Sequence, residues 1–159
     1  MIYHHNILSN NSKMKIENEI VFHICRHKEL ADILQEKGVF YTNQFIIDPY
    51  YSKEKKEKEA FAEKARIKVD SNLPKRTESM YICLEKDLEK WKKIIDYSHW
   101  YRIIKLKATG EVFWADNCEY ADENYEKYWK GCDQNSQEGQ IEGLFQGKYQ
   151  IIEIIEEGG

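Results

Sequence analysis

The chain has 159 residues, of which 42% are apolar and 13% aromatic, enough to bury the core of one domain and short for two independent ones. A net charge of -4 excludes a generally basic, nucleic-acid-coating surface, while a local basic patch stays compatible with it. The four cysteines (Cys25, Cys83, Cys118, Cys132) form no C-x-x-C pair, which argues against zinc and a disulfide framework and for reduced, mostly buried thiols, so no metal site is expected.

The N-terminal Met1-Ile2-Tyr3-His4-His5 runs into a polar Asn/Ser/Lys stretch and not into a signal peptide, and no apolar run reaches the length that spans a bilayer. A cytoplasmic protein without a membrane partner is the expectation, acting in the producing cell or in a host. Residues 1–19 predict an edge strand around Ile2 and Tyr3, then a turn or mobile arm at Asn10 to Lys13. Residues 20–25 predict the first firm strand. Leu30, Ile33 and Leu34 recur at helical spacing and Gly38 stands where a helix would stop. Val39 to Thr42 is β-prone again.

Lys53 to Lys68 is a dense Lys/Glu run containing Ala60, Phe61, Ala62 and Ala65, which reads as an exposed helix laced by i,i+4 charge pairs. Ser71 to Lys75 is a loop, where Pro74 restricts Leu73 to extended geometry before a second strand through Arg76 to Cys83. Glu85 to Ile95 carries Leu88, Trp91, Ile94 and Ile95 on one helical face. Trp100 to Leu106 and Val112 to Ala115 predict a hairpin across Lys107 to Glu111. A short helix over Asp122 to Trp129, capped by Asp122, clusters Tyr125, Tyr128 and Trp129. After a polar loop at 132–140, strands are expected at Gln140 to Phe145 and Tyr149 to Ile155, with a turn at Gln146-Gly147 and the last strand buried. The whole predicts a single α+β domain, 1–159, with a mostly antiparallel sheet core flanked by helices.

Three segments carry chemistry. Ile20 to Cys25 holds His23, Arg76 to Cys83 holds Ser79 and Tyr81, and Ile141 to Phe145 holds Glu142, each a polar group in or beside an apolar, β-prone run. In that order, with Tyr128-Trp129-x-Gly131 before the third, they resemble the ADP-ribosyltransferase superfamily over residues 20–152, and are most similar to small bacterial and phage members. The resemblance implies a split β-sheet clamping NAD as substrate. A first-strand His or Arg (here His23) holds the adenosine side, a second-strand Ser or Tyr (Ser79, Tyr81) shapes the nicotinamide pocket, and a late-strand Glu (Glu142) sits at the reacting ribose.

The chemistry suits these residue types. Cleavage of the nicotinamide–ribosyl bond passes through an oxocarbenium-like state, which a carboxylate stabilises. Glu142 would bind the ribose 2′-hydroxyl and orient or deprotonate an acceptor. His23 offers one donor and one acceptor to ribose hydroxyls. Arg76 offers a forked cation to the pyrophosphate. Tyr41, Tyr81 or Tyr128 would stack on the nicotinamide ring. Each has a plainer rival: a satisfied strand histidine, a strand hydroxyl, a loop cation, a carboxylate facing solvent, a tyrosine in the core. His4 follows Ile2-Tyr3 in a pattern like that of His23, and His27 and Glu138 are further competitors. Position 140 is Gln140, so the Glu-x-Glu of the better-known toxins is absent, which the resemblance associates with acceptors other than arginine; the second segment reads Glu78-Ser79-Met80 and not Ser-Thr-Ser.

The function read from these residues is that of an NAD-consuming enzyme, transferring ADP-ribose to a protein or nucleic-acid acceptor with release of nicotinamide, in a toxin or phage-defence setting. A non-catalytic nucleotide- or partner-binding module and an NAD glycohydrolase are the alternatives. The reading requires His23 and Glu142 to converge on one crevice.

Overall fold

The computed structural model describes residues 12–26, 28, 39–41, 52–95 and 99–158, with backbone alone for 39–41. The expected edge strand at Ile2-Tyr3, the helix ending at Gly38, and His4 and His27 lie outside the described residues. The described elements are β1 (Lys13–Cys25), β2 (Val39–Tyr41), α1 (Lys53–Asp70), a 3₁₀ turn (Arg76–Glu78), β3 (Met80–Ile82), α2 (Glu85–Ile94), β4 (Tyr101–Asp116), α3 (Asn117–Ala121), α4 (Tyr125–Trp129) and β5 (Ile141–Gly158). This is an α+β arrangement in which every strand pair is antiparallel.

The strands run in the order β1-β4-β5-β2, and β3 also pairs with β5. A single bridge, Phe22 to Cys83, then ties β1 to β3 through two backbone hydrogen bonds of 2.9 and 2.8 Å. The pairing β1-β4-β5-β3-β1 therefore closes on itself, and the sheet has an inner and an outer face. Side chains alternate between the two faces along each strand. Val21, Cys25, Ile82, Leu106, Trp114 and Phe145 fill the inside. Outside, Phe113, Ala115 and Leu144 pack under Tyr128 and Trp129 of α4 and Ala65 and Val69 of α1. Phe22, Cys83 and Ile103 pack under Leu88 and Trp91 of α2.

Two expected turns are absent, for one reason. β4 runs unbroken through Lys107 to Glu111, and β5 through Gln146-Gly147, because Gly110 and Gly147 face each other across the ladder. A β-carbon on either would lie 2.3 Å from the backbone oxygen of the opposite strand. These glycines answer to a close approach of two backbones and not to a reversal of the chain. β1 likewise begins at Lys13, inside the expected arm, with a register shift between Ile16 and Glu19. The last part of β5 is not buried: Ile152, Ile154 and Ile155 are 42%, 44% and 42% exposed, on both faces.

Local caps also differ from the expected ones. Asp122 closes α3, whose start is capped by Asp116 through a 2.9 Å bond from the Cys118 amide, and α4 begins only at Tyr125. Arg76 stands on the 3₁₀ turn and not on a strand, so its side chain turns inward before β3 begins. α1 is largely solvated, as its charges suggest, but Ala62 and Arg66 are buried. Arg66 donates to the carbonyls of Ser71 and Leu73 at 2.7 and 2.8 Å and holds the following loop down.

Gly131 follows α4 with φ +76, in the left-handed region, and a β-carbon there would lie 2.3 Å from Cβ of Ser12. Gly131→Ala should therefore cost about 2 kcal/mol, or about 4–8 °C in Tm for a chain of this size. Thermal unfolding of the variant checks this, with Tm unchanged as the contrary result.

Candidate functional site

The register places the key carboxylate. Ile82 pairs with Gly143 and Ala115 with Glu142, while Phe22 bridges Cys83. Phe22, Cys83, Glu142 and Ala115 thus stand in one row across β1, β3, β5 and β4, on the outer face. Glu142 is 4% exposed. A carboxylate in such a place needs partners.

It finds them in Arg76 and Tyr128. Arg76 Nη1 donates to Glu142 Oε2 at 2.8 Å and to the Tyr128 hydroxyl at 2.5 Å, and that hydroxyl donates in turn to the same Oε2 at 2.5 Å. Both bonds to the carboxylate end on Oε2. Oε1 carries no hydrogen bond among the described residues. On its other side Arg76 Nε donates to Glu59 of α1, 3.0 Å to Oε1 and 3.2 Å to Oε2, and the Tyr120 hydroxyl holds Glu59 Oε1 at 2.7 Å. The guanidinium lies over the Tyr120 ring, 3.9 Å from its centroid, with Tyr81 and Tyr128 at 5.0 and 5.1 Å.

The charge states follow. Burial opposes the cation of Arg76, but Tyr128, Tyr81, Glu142 and Glu59 outweigh it and hold its pKa well above the ordinary value. Burial, with Glu142 reinforcing it against Arg76, raises the Tyr128 pKa well above its ordinary value, so the hydroxyl stays a neutral donor. Tyr120 is raised by burial and by its bond to Glu59, against the pull of Arg76.

Beside Glu142 lies a hollow of about 220 Å³. Phe22 and Ile24 of β1, Tyr81 to Cys83, and Trp91, Ile94 and Ile95 of the α2 region line it, and Arg26 and Glu142 are its charged residues. Pockets that enclose a drug-sized ligand run to about 300–1,000 Å³, so this one fits a ring and its sugar and not a whole dinucleotide. Trp91 Nε1 donates to the Ile141 carbonyl at 2.9 Å, which fixes α2 over the start of β5. Lys86 and Lys90 of α2 hold the carbonyls of Ser136 and Gln137 at 2.9 and 2.6 Å and pin the 132–140 loop alongside. Gln140, two residues before Glu142, buries an amide Nε2 that has no hydrogen-bond partner among the described residues.

The residues singled out from sequence do not all meet here. Glu142, Arg76, Tyr81 and Tyr128 do. His23 does not line the hollow. Alternation puts it with Val21 and Cys25 on the inner face, where Nδ1 lies 2.6 Å from the Tyr81 carbonyl across the β1–β3 seam. Burial lowers its pKa from 6.5, opposed by that hydrogen bond, so the ring is neutral at pH 7 and Nδ1 donates. The expected His23–Glu142 crevice is replaced by one in which Phe22 and Ile24 supply the β1 wall. Arg76 is committed to two carboxylates and is not open to a pyrophosphate. Tyr128 is a buried hydrogen-bond partner and not a stacking platform. Ser79 is held away, donating to the Lys75 carbonyl at 2.7 Å and accepting from Gln146 Nε2 at 3.3 Å. Only the backbone of Tyr41 is described, paired with Lys148. Glu138, on the loop, offers its carbonyl to the Ser136 hydroxyl at 3.2 Å.

Three residues were not foreseen: Glu59, Tyr120 and Arg26. The signal for Glu59 was present, since Glu59, Ala62 and Arg66 recur at i, i+3 and i+7 within the charged run and form the buried stripe of α1. Burial pushes the thiols of Cys25 and Cys83 up to about 12, so neither is a nucleophile at neutral pH. No described helix is long and apolar enough to cross a membrane.

The chain belongs to a family of proteins of unknown function, DUF2441, whose model matches residues 2–157. No curated protein matches it.

Two outcomes follow from the geometry. Arg76→Met leaves Glu59 and Glu142 facing each other in a buried site, which should cost about 3–5 kcal/mol. Denaturant unfolding of the variant against the wild type reads it, and an unchanged stability would contradict it. For His23 the folded pKa is lowered, so its contribution is intact above about 6.5 and lost as pH falls through the folded value. His23→Gln should flatten the fall in stability below pH 6.5, and an identical pH profile in wild type and variant would contradict this.

Proposed function

We propose that this DUF2441 member is an NAD-dependent ADP-ribosyltransferase that transfers ADP-ribose to a macromolecular acceptor and releases nicotinamide. One observation carries the reading: among the described residues Glu142 is pinned through Oε2 alone, at the wall of an aromatic-lined hollow, and Oε1 takes no hydrogen bond from them. A carboxylate held rigidly by one oxygen is prepared to meet charge that develops at a neighbouring carbon with the other. The closed circuit with its one-bridge seam between β1 and β3 is compatible with the split sheet of that superfamily.

In this reading the nicotinamide ring enters between Phe22, Tyr81 and Trp91, and Arg26 faces the phosphates in the place first given to Arg76. The C1′–N bond breaks and its electron pair leaves with neutral nicotinamide. Glu142 stabilises the ribosyl cation until an acceptor nucleophile attacks, and the acceptor's proton passes to the carboxylate or to water. His23 acts at a distance, by fixing the Tyr81 backbone. The activity would operate in the cytosol of the producing cell or of a host, as a toxin or a phage-defence factor.

A second reading is nucleotide binding without turnover, favoured by the ion pair that already compensates Glu142. Incubation with NAD and assay of free nicotinamide separates the two. The transferase reading expects release, reduced about 100-fold or more in Glu142→Gln with NAD binding retained. Binding of NAD by the wild type without release would leave the binding module, and release unaffected by added lysate would leave hydrolysis. Labelled NAD in lysate, with and without nuclease, then assigns the acceptor to protein or nucleic acid.

A further inference from the structure

We propose that Trp91 of α2 positions Glu142 as well as contacting the ring that enters the hollow, so that one side chain ties ligand binding to the placement of the carboxylate. The inference rests on the transferase reading for its effect on turnover, and on the end of the β3–β5 ladder for its substance.

The β3–β5 pairing stops at Ile82 and Gly143, and the chain then turns away into α2 at Glu85. That leaves the Ile141 carbonyl, one residue before Glu142, on the side of β5 that β3 no longer covers. The side follows from its neighbour: the Gln140 carbonyl points to β4, where the Asn117 amide meets it at 2.8 Å, and successive backbone groups point to opposite edges of a strand. Ile141 is 1% exposed, so an unmet carbonyl there would lack water as well as a ladder partner. Trp91 Nε1 meets it at 2.9 Å. An indole has this one N–H and no acceptor, so the bond fixes which edge of the ring turns to β5, and the rest of the ring supplies a wall of the hollow.

α2 is itself fastened to the segment that leads into Glu142. Lys86 and Lys90, one turn apart, hold the carbonyls of Ser136 and Gln137 at 2.9 and 2.6 Å, and Trp91 is the third tie. Arg76 and Tyr128 fix the carboxylate end of Glu142, whereas Trp91 fixes the backbone at its root. Phe22, another aromatic wall, has no side-chain donor and serves the ring alone.

Trp91→Phe keeps an aromatic wall and deletes the N–H, whereas Trp91→Leu deletes both, so the pair separates the two tasks. Amide exchange followed by mass spectrometry needs no ligand. Residues 140–143 are expected to exchange about tenfold faster in Trp91→Phe than in the wild type, with 144–149 unchanged, and equal rates at 140–143 overturn the proposal. With NAD as the probe, calorimetry is expected to find Trp91→Phe within about threefold of the wild-type affinity and Trp91→Leu about tenfold weaker. Wild-type affinity in Trp91→Leu overturns the contact with the ring. In nicotinamide release, Trp91→Phe should lose about tenfold in kcat with KM nearly kept, because the ring still binds while the carboxylate is less well aimed. An unchanged kcat, or a loss confined to KM, overturns the positioning role. Should Trp91→Phe fail to fold, 3-benzothienylalanine at position 91 puts sulfur where the N–H stands and keeps the shape of the ring, and the same outcomes decide. A wild type that releases no nicotinamide removes the transferase reading instead, and amide exchange at 140–143 still decides the tie to Ile141.

Discussion

A single guanidinium, shared between two carboxylates where little water reaches, organises the candidate site of this molecule. Removing three charges from water costs several kcal/mol each, and Coulomb attraction repays this only where the remaining donors and acceptors are also satisfied. Here Tyr120 on Glu59 and Tyr128 on Glu142 supply most of them, with Glu142 Oε1 the exception among the described residues. The partners come from α1, the 3₁₀ turn, α3, α4 and β5, of which α1 and α4 also pack against each other. Arg76 therefore gives these separate pieces a common reference point, and the placement of Glu142 follows from it.

The closed strand circuit supplies the rigid frame on which that cluster sits. Two long strands, β4 and β5, cross the molecule side by side, and the facing pair Gly110 and Gly147 lets their backbones approach without a side chain between them. β3 contributes only three residues, yet it connects β1 to β5 and so completes the ring. With the ring closed, parity along a strand decides whether a residue meets solvent-side helices or the interior. Phe22 joins Glu142 beneath α2; its neighbour His23 joins Val21 and Cys25 inside.

Much of the strand content was legible because apolar, β-branched and aromatic residues cluster in runs, and α2 was legible because Leu88 and Trp91 recur on one face. The breaks were misread wherever glycine served packing between strands and not reversal, as at Gly110 and Gly147. Glu142 stood out as a carboxylate among apolar neighbours. His23 stood out for the same reason, but a shift of one residue in a strand moves a side chain to the opposite face, and face is a property of pairing that one strand's sequence does not contain. Arg76 could be recognised as a cation near a strand, whereas Tyr120 could not, since it lies on a helix that composition does not announce, and Glu59 is marked among the many charges of α1 only by its spacing from Ala62 and Arg66.

The ion pair on Glu142 bears directly on whether a carboxylate so compensated can still serve chemistry. A lone Arg76–Glu142 pair would be neutral as a unit and of little use to a developing ribosyl cation. The cluster is not a pair, however. Glu59 adds a second negative charge to the single positive one, so the assembly as a whole presents one net negative charge, and Glu142, which lines the hollow, keeps one oxygen without a donor among the described residues. At a separation of about 4 Å and an effective dielectric near 20, one unit charge is worth about 4 kcal/mol to another, which on the proposed transferase reading is a substantial share of the stabilisation required. The carboxylate that faces the hollow thus draws its orientation from Arg76 and its surplus charge from Glu59, and the two requirements, fixed geometry and uncompensated charge, are met by different residues.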